Sequence, residues 1–145
     1  VTDPSGMLVA LREKLYGDST FNSSVGGNVF AGDDIDPTPY LGSSNAVAIV
    51  RSLNENEVAT PGSSLHGRIE QDIQFDISIV GSDFWDCRQI AQQAIDLIIG
   101  DFTITHEGIS YWMVIPNVTR HHIKDEAGYH REIITFRGKT WRWNK

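Results

Sequence analysis

Residues 68–100 read RIEQDIQFDISIVGSDFWDCRQIAQQAIDLIIG, and this stretch decides the fold. Ile69, Ile73, Phe75, Ile77 and Ile79 occupy odd positions, while Glu70, Asp72, Gln74, Asp76 and Ser78 occupy even ones. A period of two with one apolar and one polar side predicts a half-buried strand. Gly81-Ser82-Asp83 breaks the alternation. Beyond it Phe84, Ile90, Ala91, Ala94, Ile95 and Ile98 recur at helical spacing, with Ser82 or Asp83 placed to cap the first turn and Gly100 to close the last. The helix can fold back on the strand's apolar face, which starts a sheet with helices on one side.

Working outward, the N-terminal side gives a short amphipathic helix over 7–16, with Met7, Leu8, Leu11 and Leu15 on one stripe and Gly17 at its end. Residues 18–44 are rich in Gly, Ser, Asn, Asp and Pro and predict loop with short extended pieces around Val29-Phe30 and Tyr40-Leu41. Residues 46–53 predict a strand buried on both sides. Residues 54–67 predict a loop long enough to contact a partner. On the C-terminal side, strands are expected over 101–106 and 109–120, joined by the tight turn Glu107-Gly108, with Pro116 marking an edge, bulge or bend. A last strand is expected over 129–137, with 138–145 extending it or hanging free. The fold class that follows is α+β: a single domain over 1–145, mostly antiparallel sheet, with an N-terminal and a central helix packed on it.

A chain of 145 residues with 40% hydrophobic and 21% charged residues is globular in composition. No apolar run approaches the roughly 20 residues that cross a bilayer, and residues 1–10 do not form a basic start followed by an apolar core. The expectation is a soluble protein that stays in the cytoplasm, without membrane contact. Cys87 is the single cysteine, so no internal disulfide or cysteine cage can form, and an ordinary packed thiol is expected. The net charge is −7, from 12 basic and 19 acidic residues. Arg137, Lys139, Arg142 and Lys145 form an end without acidic residues, so the rest of the chain carries −11. General attraction to nucleic acid is disfavoured.

The chain lacks a nucleophile elbow, a phosphate loop, a dinucleotide glycine pattern and a His-Glu-x-x-His motif. Asp33, Asp34 and Asp36 lack EF-hand spacing and predict a solvated loop. His121, His122, Asp125, Glu126 and His130 form the best alternative, a metal or acid–base site of a small metal-dependent hydrolase. Yet adjacent strand residues face opposite ways, which separates His121 from His122. Glu70, Asp72 and Asp76 share one strand face and are expected to be exposed to solvent or packed against basic residues of a neighbour. The end from Arg137 to Lys145 interleaves cations with Trp141 and Trp143, a composition suited to an interface more than to specific nucleic-acid binding.

The helix over 7–16, the extended Asn28-Val29-Phe30 with Pro39-Tyr40, the alternating strand to Val80, the helix from Phe84 and the closing strand from Tyr129 to Phe136 resemble the tail terminator (tail completion) proteins of long-tailed bacteriophages. The resemblance implies a structural virion protein of the tail and neck, assembled in the host cytoplasm. It implies a hexameric ring that caps the tail tube, stops tube polymerisation and meets the neck or head–tail connector proteins, with DNA passing through. It implies no catalysis and no cofactor. Phe30, Tyr40, Arg137, Lys139, Trp141, Arg142 and Trp143 are expected at subunit or partner interfaces, and Glu70, Asp72 and Asp76 on a DNA channel. A head–tail adaptor is the alternative within the same setting.

Overall fold

The computed structural model describes residues 4–32, 35–41, 46–58, 69–125 and 128–144. In chain order these form α1 (Pro4–Tyr16), α2 (Ser19–Ser24), β1 (Val29–Ala31), a 3-10 turn (Thr38–Tyr40), β2 (Val47–Val58), β3 (Ile69–Gly81), α3 (Phe84–Ile98), β4 (Gly100–His106), β5 (Ile109–Lys124) and β6 (His130–Asn144). The strands make one sheet in the order β1-β2-β3-β6-β5-β4, antiparallel except for the short parallel pair β1/β2. This is the expected α+β class.

The alternation on β3 holds, and the register carries it across the sheet. Phe75 faces Phe136 with rings stacked at 5.1 Å, and Ile77 faces Ile134. Both pairs lie on the inner face, where they meet Leu11 and Leu15 of α1 and Ile90 and Ile98 of α3. Asp83 caps α3 by accepting from the backbone N–H of Trp85 (2.8 Å) and Asp86 (3.3 Å). A cap of this kind stabilises a helix by about 1 kcal/mol.

Helix α1 explains the sheet's curl. Its Arg12 donates to the Val29 carbonyl at one edge strand (2.8 Å), while Glu13 sits 3.5 Å from His106 and Lys14 lies 4.5 Å over the Phe102 ring at the other. Six strands laid flat would hold their edges about 24 Å apart, more than twice a helix's width. One helix reaches both edges because the sheet bends round it.

The structure extends three expectations and corrects one. Strand β2 runs through Val58, so the loop expected at 54–67 begins later; residues 59–68 lie outside the described ones. The region 18–44 holds the capped helix α2, where only loop was expected, and β1 at the extended piece expected around Val29-Phe30. Strand β5 continues past Pro116 through a register shift between Val114 and Asn117, and β6 continues to Asn144 between β3 and β5. The bulge depends on Gly138, because a Cβ there would collide with the Val114 carbonyl and Ile115 backbone. The Glu107-Gly108 turn appears as expected, both residues having positive φ (52° and 80°), as a two-residue hairpin of primed type needs.

The correction concerns the sheet's outer face, which is not uniformly wet. Val47, Ile49 and Val80 form a second apolar cluster there with Leu41, against which Phe30, Ile35 and Tyr129 pack. Asp76 is 2% exposed beside it and packs against Arg51 of β2, the second of the two expected settings for that row.

Candidate functional site: an aromatic and basic groove on the outer face

The outer face has two ends. At the end nearer β1, residues 35–41 fold back as a lid: Tyr40 touches Phe30 of β1 at 4.7 Å between ring centres, and Leu41 is buried. Asp36 secures the lid's 3-10 turn, accepting from the Thr38 backbone N–H (3.0 Å), which holds its carboxyl below the usual range. Asp33 and Asp34 lie outside the described residues.

At the other end no described residue covers the face. Arg137, Lys139 and Trp141 alternate on β6 and share this side with Trp112 and Val114 of β5 and with Asp72 and Gln74 of β3. Trp112 and Trp141 sit directly opposite, with ring centres 4.7 Å apart, and Trp112 is 42% exposed. The bulge at Pro116 opens the sheet surface beside them. A groove of about 460 Å³ results, with Val114, Pro116 and Trp141 in its lining and Arg137 and Lys139 among the polar groups. Lys139 stands 3.6 Å from Asp72, both half exposed, a pair worth well under about 1 kcal/mol. Arg137 makes no ion pair with any described residue.

The expected interface residues therefore divide. Tyr40 belongs to the lid and Phe30 of β1 packs against it, whereas Arg137, Lys139 and Trp141 line the groove. Phe30 reaches Ser78 through Ile49, and Trp141 pairs with Glu70, so the two sets are separated by eight residues along β3, about 26 Å. The side chains of Arg142, Trp143 and Glu70 lie outside the described residues. Trp112 and Val114 were not expected at the site, and Pro116 was expected only as an edge, bulge or bend. The signal was present, since Trp112 and Val114 fall out of phase with the buried Tyr111, Met113 and Ile115.

The acidic row also divides. Asp76 receives both Arg51 Nε (3.1 Å) and Nη2 (3.0 Å), a bidentate pair across β2 and β3. A buried, paired carboxylate does not present charge to a channel, so of the three only Asp72 is seen exposed to solvent.

Near the β5–β6 hairpin end, His122 and His130 lie on the inner face and His121 on the outer. His121 points outward and is exposed, and His122 points inward, as adjacent strand positions require. His122 Nδ1 is 3.2 Å from Glu132, and its Nε2 is 3.2 Å from His130 Nδ1, with Phe84 edge-on to both rings. Glu132, 1% exposed, also faces Arg88 at 3.4 Å. This joins α3 to the hairpin. Among the described residues no three His, Cys, Asp or Glu side chains group as metal ligands. Cys87 points from the first turn of α3 toward the sheet, its thiol 3.8 Å from the His130 carbonyl; burial first, then Glu132, pushes it up to about 12. It is a protonated, unreactive thiol at neutral pH.

With this geometry in view, comparison with known proteins is informative through structure alone. No family model and no curated protein matches the chain. Among solved structures, a chain of the virion of a native gene transfer agent (GTA) particle superposes with a TM-score of 0.63 at 16% identity, covering 94% of this chain and 95% of that one. The fold is one that a virion chain also has. A second solved structure superposes with a TM-score of 0.57 at 13% identity, covering 97% and 96%. Both likenesses run end to end, so the curled sheet and its three helices are a shared architecture. No helix among the described residues is long and apolar enough to cross a membrane.

Proposed function

We propose that this chain is a structural, non-catalytic component of a phage-like virion, and specifically a tail terminator that closes into a hexameric ring on the tail tube. The end-to-end fold likeness to a chain of the GTA virion carries the virion reading. The pattern of elements resembling tail terminators carries the finer one, together with a bare aromatic-basic groove suited to protein contact. On this reading the ring stops tube growth, meets the neck proteins and lets DNA pass without sequence-specific contacts. The lowered net charge outside residues 137–145 favours passage over binding.

The test is to add the purified chain to its cognate tail-tube protein during polymerisation and image the products. Tubes of limited length with a ring at one end are expected. Tubes of unchanged length with bare ends would contradict the terminator role.

A further inference from the structure

The groove and one exposed side chain on the opposite side of the molecule fit each other in chemistry. Trp85, in the first turn of α3, is 74% exposed, the most exposed large hydrophobic side chain among the described residues. It is flanked by exposed Asp83 and Asp86. Arg88, the nearest cation on that helix, is turned to the buried Glu132. The helix start therefore presents an indole between two carboxylates. The groove offers the complement: an apolar lining of Val114, Pro116 and Trp141, with Arg137 beside it and Lys139 paired to Asp72 in the same lining, so Arg137 is the cation left to meet an incoming carboxylate.

We infer that Trp85 of one copy docks in the groove of the next, with Asp86 facing Arg137. Helix α3 covers the inner face of the sheet and the groove opens on the outer face, so a single copy cannot satisfy both. The contact is head-to-tail. Such a contact propagates from copy to copy and closes into a ring when the rotation fits. Indole and guanidinium groups are the side chains most often found to dominate protein interfaces, and opposed charges fix orientation. This deepens the ring reading above and rests on it for the number of copies, but not for the contact itself.

The experiment is sedimentation of the full chain over a range of concentrations, with Trp85→Ala, Asp86→Lys and Arg137→Glu variants whose folding is checked by circular dichroism. Asp83 is left intact because it caps α3. Each single variant is expected to need roughly 30-fold more protein for half-association. The double variant Asp86→Lys/Arg137→Glu is expected to recover. A mixture of Trp85→Ala with Arg137→Glu is expected to give one-to-one dimers, since each keeps the half that the other lacks. An oligomer that forms equally well without Trp85 overturns the contact and leaves the ring reading standing. A wild-type chain that stays monomeric throughout also overturns the contact, and the tube-length assay then decides the terminator role separately.

Discussion

The two ends of the outer sheet face are built from similar materials and used differently. Near β1 the chain brings its own cover, with Leu41 buried and Phe30, Ile35 and Tyr129 laid over Val47, Ile49 and Val80. Near the end of β6 it lays nothing described over Trp112, Val114 and Trp141, and sets cations among them instead. An apolar surface costs free energy in water wherever it lies. The lid shows how this fold removes that cost within one chain, and the bare end is where a second chain can do the same.

The largest expected effect lies under the groove. Gly138→Val places a side chain against the Val114 carbonyl, so the bulge must close or the strands must part. A loss of about 3 kcal/mol or more in urea unfolding is expected. A stable Gly138→Val variant would mean the groove is not shaped by the bulge. Close behind is Asp76→Ala, which strands Arg51 without its bidentate partner and should cost about 3 kcal/mol. Its neighbour on the same row, Asp72→Ala, should change stability by less than about 0.5 kcal/mol. Equal costs would erase the distinction between the buried and exposed carboxylates.

The lid and the bare end give the next contrast. Leu41→Ala empties a buried site and should cost about 2 kcal/mol or more. Trp112→Ala removes one half-exposed ring from a pair and should cost only about 1 kcal/mol in the monomer. Its main effect should fall on association. The smallest effect concerns Cys87. With its thiol raised from an ordinary 9.0 to about 12, the unfolded chain releases that proton first as pH climbs. This group then leaves stability unaffected by pH well below 9 and lowers it progressively between 9 and 12. Iodoacetamide should leave Cys87 unmodified in the folded chain at pH 8. Rapid alkylation there would show that the start of α3 lifts from the sheet.

What was legible in the sequence follows from where burial is one-sided. Strand β3 and helix α3 pack one face on the core, so their periods of two and of three to four are plain in the residues. The far part of β2, Asn54 to Val58, shows no apolar period in its residues and reads as loop. Residues 138–144 hide their strand because a glycine required by the bulge interrupts it. The six residues of α2 and three of β1 are too short to show a period. Of the site, Arg137, Lys139 and Trp141 were visible as a composition. Their partners Trp112 and Val114 come from β5, and only the register reveals that they share a face. The burial of Asp76 was hidden likewise, because Arg51, which neutralises it, sits on another strand.

The account stands or falls on what covers the bare end. A cryo-electron microscopy structure of the assembled oligomer tests this most directly. The account predicts that Trp112, Val114 and Trp141 are buried against a neighbouring copy while the Phe30–Tyr40 lid stays seated on its own chain. A ring whose subunits meet elsewhere, with the groove open to solvent, would contradict it.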